Sequence, residues 1–287
     1  MSLRWRGFLW VALSAAGFGA MAIFAKLAYR DGVSLTTLLY LRFLLAGSVL
    51  ALWGIARGMR LPQGRDLWLL IGMGALGYVG QAYCYFAALR HASAGLVALL
   101  LYLYPAIVTL FAALLLGRQI GTRRGWAVSV ALLGTALTVG GDLDSGWLGI
   151  ALGVGAALIY SVYILVGEGV MQRVRPLAAA TVVMLSAAVV YAGAASFEGL
   201  SLPASLDGWL AIGAIALFST LLAILGFFKG MERLGATDAS TLSTMEPLIT
   251  LLLAAWVLDE VVTEYQLAGG VLILAAVVYL VRCQQRQ

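Results

Sequence analysis

A glutamate followed by a proline, Glu246-Pro247, falls near the middle of an apolar run from Asp238 to Leu258. A carboxylate at that depth in a lipid bilayer costs on the order of 2.5–3.5 kcal/mol on insertion scales, so it turns towards a cavity or a partner. In a cavity it would bind a substrate ammonium or take up a proton in a coupling step. Against a neighbouring helix it would pair with an arginine, or donate a hydrogen bond when protonated. The proline removes one backbone hydrogen bond, which is tolerated where protein or water replaces it. A second proline, in the pair Tyr104-Pro105, stands 142 positions earlier, again within an apolar run.

Other polar side chains lie at similar depth. Arg42 is too far into its run to snorkel easily and would either meet a substrate carboxylate or, the reading favoured here, lock helices through carbonyls or an acid. Lys26, Lys229 and Glu168 lie near the ends of their runs, where a lysine can snorkel, and Lys229 is a candidate gate. Tyr78, Gln81 and Tyr85 recur at three- and four-residue spacing and share one helix face. Tyr102 and Thr109 are seven apart, Tyr160 and Tyr163 pair, and Ser243 and Thr244 flank the glutamate. Buried phenolic hydroxyls want a partner or water. The candidate substrate-binding set is therefore Tyr78, Gln81, Tyr102, Tyr160, Tyr163, Ser243, Thr244 and Glu246, with Arg42, Lys229, Pro105 and Pro247 as helix-locking or gating residues. A lining of this kind suits amino acids or aromatic metabolites. Phosphorylated sugars would need several convergent lysines or arginines, Arg42 and Lys229 among them.

The rest of the chain excludes much else. Cys84 and Cys283 read as lone thiols with no metal-ligand neighbours, and His91 is the single histidine. Zinc-protease, Walker and Ser/His motifs are missing, so neither an enzyme, a metal, a cofactor nor built-in ATP hydrolysis is expected. The 287 residues are 63% hydrophobic and 11% charged, with a mean hydropathy of +0.99. A soluble domain is nearer half apolar and a quarter charged, so the composition describes an integral membrane protein. The net charge of +5 reads as a topology signal in short loops and not as nucleic-acid binding.

Ten apolar segments can be marked, at 7–28, 34–56, 67–89, 93–116, 125–141, 147–168, 178–197, 208–231, 238–258 and 265–281. Such runs are helices, because lone strands cannot satisfy their backbone in lipid. The first is read as a retained helix. Arg4, Arg6, Arg57, Arg60, Arg65, Arg118, Arg123, Arg124, Arg173, Arg175, Arg233, Arg282 and Arg286 fall on one side. Lys26, Arg30 and Arg90 share the other with Asp31, Asp142, Asp144, Glu198, Asp207, Asp259, Glu260 and Glu264. Positive-inside bias then puts both termini in the cytoplasm.

The 142-residue offset also pairs Trp5 with Trp147, Lys26 with Glu168 and Phe86 with Phe228. The expected domains are thus repeats at 1–141 and 142–287. Five helices per repeat invert the second copy, the plan of many secondary transporters, whose substrate site lies at the midplane between halves. Arg42-Phe43-Leu44-Leu45-Ala46, Tyr104-Pro105-Ala106-Ile107-Val108-Thr109-Leu110 and Glu246-Pro247-Leu248-Ile249-Thr250, with Leu258-Asp259-Glu260, are similar to motifs of the drug/metabolite transporter superfamily, in its ten-helix form with two EamA-like repeats. The resemblance covers the whole chain. It implies an all-α integral membrane protein that exports small metabolites by alternating access, and within the superfamily it leans to bacterial amino-acid and aromatic-metabolite exporters. One departure is Arg118, where the family pattern expects a glutamate matching Glu260. The expected partners are a small-molecule substrate and the bilayer, with a monomer as the working expectation. The rival within transport is an organophosphate or nucleotide-sugar exchanger; outside transport it is a lipid-handling or scaffold protein. The expected cavity draws on the first, third, fourth, sixth, eighth and ninth helices.

Overall fold

A computed structural model describes residues 3–117, 121–140 and 146–284. Of the residues used above for orientation, Arg118, Asp142, Asp144 and Arg286 lie outside the described residues, as do the side chains of Arg4, Arg124 and Cys283. The described chain is helical: α1 (Leu3–Arg30), α2 (Leu35–Ala56), α3 (Gly64–Ala88), α4 in two halves (α4a, Ala94–Leu101; α4b, Tyr104–Leu116) and α5 (Thr122–Gly140). The second set is α6 (Trp147–Met171), α7 (Pro176–Glu198), α8 (Leu206–Leu234), α9 in two halves (α9a, Ala236–Ser243; α9b, Glu246–Val257) and α10 (Glu264–Gln284). Among the described residues nine helices are long and apolar enough to cross a membrane; the tenth, α5, carries a shorter apolar stretch, Gly125–Gly140.

Local chemistry sets the ends. Ser34, Ser93 and Ser205 cap α2, α4a and α8 by accepting from the amides of Thr37, Leu96 and Gly208, which satisfies donors that the helix cannot. Gly117 ends α4b with φ +64°, and Asp259, 142 positions on and just past α9b, takes φ +57°. A non-glycine residue in that region is uncommon. Its recurrence at equivalent sites shows that the turn belongs to the repeat and not to the glycine.

The two sequence-marked proline runs are not continuous helices, contrary to expectation. Proline cannot donate to the carbonyl four residues back and its ring crowds that turn. Pro105 and Pro247 therefore break their helices at matching points, leaving half-helices whose ends at the break coincide at the 142-residue offset. Two more irregularities match: π-helical turns at Met73–Tyr78 in α3 and Ala214–Leu222 in α8.

Packing follows the same two-fold. α1 lies along α8 as α6 lies along α3, while α2 pairs with α7 and α5 with α10. Alanines such as Ala22, Ala25, Ala46, Ala82 and Ala156 are buried where helices meet, as small residues permit in membranes. Trp68, Trp126, Trp147 and Trp256 are largely exposed, the placement of an aromatic belt.

Candidate functional site

The breaks in α4 and α9 meet at one cavity of about 130 Å³. Its walls come from Phe18 and Met21 of α1, Arg42 of α2, and Tyr78, Gln81, Tyr85 and Phe86 of α3. Leu101, Tyr102 and Tyr104 of α4, Tyr160 of α6 and Glu246 at the start of α9b complete them. A cavity of about 150 Å³ accommodates a benzene ring, so this one has the scale of a single ring or a small metabolite.

The break at Pro247 deprives the Ser243 carbonyl of its helical donor, and the hydroxyl of Tyr102 replaces it, donating across 2.8 Å. The same phenolic oxygen is 3.0 Å from Oε2 of Glu246. A phenol has one proton and a carbonyl can only accept. Both contacts are hydrogen bonds when Glu246 is protonated and donates to Tyr102 Oη. An ionised Glu246 instead competes with Ser243 for the single phenolic proton. Helices α1 and α6 brace the breaks from equivalent positions, by hydrogen bonds of opposite direction. Thr250 Oγ1 donates to the Gly19 carbonyl at 2.9 Å, and Ser161, the equivalent of Gly19, donates to the Tyr104 carbonyl at 3.2 Å. A Cβ at Gly19 would sit 2.8 Å from the Glu246 carbonyl oxygen, so glycine is what lets α1 reach the break.

Aromatic rings form the rest. Tyr104 meets Tyr160 edge-on with centroids 4.9 Å apart, Tyr160 stacks on Tyr163 at 6.0 Å, and Tyr163 lies 5.8 Å from Tyr78. Arg42 is 3% exposed. Its Nε donates to Thr220 Oγ1 at 3.1 Å and its Nη2 to Tyr78 Oη at 3.3 Å. The guanidinium carbon stands 5.1 Å from the ring centroids of both Phe43 and Phe86.

Of the sequence-marked binding residues, Tyr78, Gln81, Tyr102, Tyr160 and Glu246 line the cavity. Tyr163 stands behind Tyr78 and Tyr160. Ser243 contributes only its carbonyl, and the Ser243 and Thr244 hydroxyls donate to the Ala239 and Thr241 carbonyls of their own helix. Pro105 and Pro247 make the breaks. Lys229 lies over the Trp10 ring at 4.5 Å, away from the lining. Lys26 does not snorkel but pairs with Glu260 at 2.6 Å. Helix α2, not α8, supplies a wall; α8 stays behind and holds Arg42 through Thr220. Phe18 and Met21 enter as the repeat partners of Tyr160 and Tyr163, whereas Phe86 and Leu101 were not expected there, since apolar residues in an apolar chain carry no distinguishing signal.

Comparison with known proteins agrees with this architecture. The pattern of the EamA-like transporter family matches residues 5–140 and again residues 147–282. An uncharacterized inner membrane transporter, YedA of Escherichia coli, is 29% identical over 82% of this chain and 78% of its own. The aromatic amino acid exporter YddG of Ancylobacter novellus is 28% identical over 83% of this chain and 85% of its own. A solved crystal structure with 22% identity superposes with a TM-score of 0.68, covering 97% of this chain and 98% of that one.

Proposed function

Because the chain belongs to the EamA-like transporter family, we propose that it is a secondary transporter that exports small metabolites, amino acids and aromatic ones included. It works across the cytoplasmic membrane by alternating access through the cavity between its repeats, with both termini in the cytoplasm. The observation that carries this reading is the cavity itself: aromatic rings and a carboxyl group converge where two half-helices break, on a scale that fits one small molecule. Glu246 is the polar end. Its carboxylate either binds a substrate ammonium or holds a proton against Tyr102, so the two cations compete for one group. With no Walker motif in the sequence, an ion or substrate gradient is the driving force of this reading. The exporter relative supports an amino-acid cargo. An organophosphate or nucleotide-sugar cargo would need Lys229 beside Arg42, and Lys229 packs on Trp10 instead.

The test is uptake and counterflow of labelled amino acids in liposomes carrying the purified protein, with and without a pH gradient. Flux of at least one amino acid above protein-free liposomes is expected. No flux for any of them would remove the substrate class.

A further inference from the structure

We propose that Arg42 is the anchor for a substrate carboxylate, so that the cavity selects zwitterions over amines and amides; this rests on the transport reading above. A guanidinium has five N–H donors. Here two are used, and both acceptors are neutral hydroxyls, those of Thr220 and Tyr78. Among the described residues no carboxylate lies within 4 Å of Arg42, whose side chain is nonetheless almost wholly removed from solvent. The buried side-chain polar atoms without a partner, among the described residues, are the hydroxyls of Ser14 and Ser219. Arg42 lines the cavity, and its remaining donors are not among the buried atoms left without a partner.

A purely structural arginine would spend its donors on carbonyls or an acid. Leaving a buried cation without a counter-charge is costly, and the cost is recovered when an anion arrives. The ring faces of Phe43 and Phe86 offset part of it and hold the guanidinium plane, as cation–π contacts do. The fork so fixed matches two carboxylate oxygens, which a lysine would not. Glu246, on another wall of the same small cavity, is the opposite pole. A site with a cation on one wall, a carboxyl on another and aromatic sides between them is complementary to a free α-amino acid.

The experiment measures binding of L-phenylalanine, L-phenylalaninamide and 3-phenylpropionate to the full-length protein in nanodiscs. These three share a ring and differ in their charged ends. L-phenylalanine is expected to bind more tightly than the amide by about 30-fold or more, the loss that follows removal of one partner from a desolvated charge pair. Equal affinity for acid and amide would overturn the role of Arg42 while leaving transport intact. No binding of any of the three would overturn the zwitterion site and the aromatic cargo together, whereas absence of flux in the liposome assay is what would remove the amino-acid substrate class. Arg42→Lys keeps the charge and loses the fork. It is expected to weaken phenylalanine and leave the amide unchanged, whereas equal weakening of both would make Arg42 a scaffold residue only.

Discussion

Lys26 Nζ lies 2.6 Å from Glu260 Oε1, joining the end of α1 to the turn that follows α9b. The other carboxylate oxygen of Glu260 accepts from the Ala94 amide at 2.8 Å, and the ammonium also donates to the Ala92 carbonyl at 3.0 Å. One carboxylate therefore neutralises a lysine and caps α4a, an arrangement favoured by the positive end of a helix. On this face α4a packs on α9b. The repeat-equivalent pair, α4b and α9a, does not pack to a comparable extent among the described residues. Of the two repeat-equivalent contacts between half-helices, the one beside the Lys26–Glu260 pair is the more closely packed among the described residues.

Reversing either charge should loosen this packing and open the cavity to that face. Both side chains are mostly covered, at 20% and 16% exposure, so the pair lies between exposed and buried ion pairs and is worth on the order of 1–2 kcal/mol. Lys26→Glu or Glu260→Lys should speed labelling, by an impermeant thiol reagent added on that face, of a cysteine placed at Tyr104. Combining the two reversals should slow it again. Unchanged labelling in both single variants would make the pair irrelevant to closure.

Tyr102→Phe removes the donor that serves the Ser243 carbonyl. A buried acceptor left without a partner costs about 1–3 kcal/mol, so thermal unfolding of the purified protein should come earlier and transport should fall. Wild-type stability in this variant would mean that water replaces the hydroxyl.

Pro247→Ala restores the missing N–H and lets α9 run straight through the break. The Ser243 carbonyl then returns to its own helix and Tyr102 is released. Transport should fall even though a proline has been removed from a helix, a change that ordinarily stabilises. A variant that transports normally would show that the break is incidental.

Glu246→Gln keeps the size and the ability to donate to Tyr102, and so resembles the protonated acid. If proton and substrate share this carboxyl, flux in the variant should lose its dependence on a pH gradient. A pH response equal to that of wild type would confine Glu246 to packing.

Asp31, in the turn between α1 and α2, accepts from the side chain and backbone of Ser205, which hold its carboxyl below the usual range. A lowered value means that the tether is present above about pH 4 and is lost as pH falls through the lowered value. Amide exchange around Ser205–Gly208 should rise in acid, and Asp31→Asn should abolish that rise. At the repeat-equivalent place Arg173 grips Asp66 across 2.7 Å, so the two tethers hold α1 to α8 and α6 to α3.

The fold was legible because lipid permits so little else: apolar runs of this length have to be helices, and the two prolines betray the duplication. The breaks were not legible as breaks, since a proline within a helical run can kink it as readily as end a half-helix. Glu246, Tyr102 and Tyr160 stood out as polar groups at depth. Thr244 stood out for the same reason, yet its hydroxyl closes on its own helix, a choice of rotamer and not of residue type. Lys26 was misread because a lysine near a helix end can always reach water, and its partner lies 234 positions away.

Tyr78 and Thr220, the two residues that hold Arg42, are counterparts under the internal duplication. The position answering to Arg42 in the other half is a buried methionine, Met184, so this arm has no twin to relieve it. If Arg42 holds the cargo as proposed, the charged end would stay on a single side chain throughout a cycle, with no second arm to receive it.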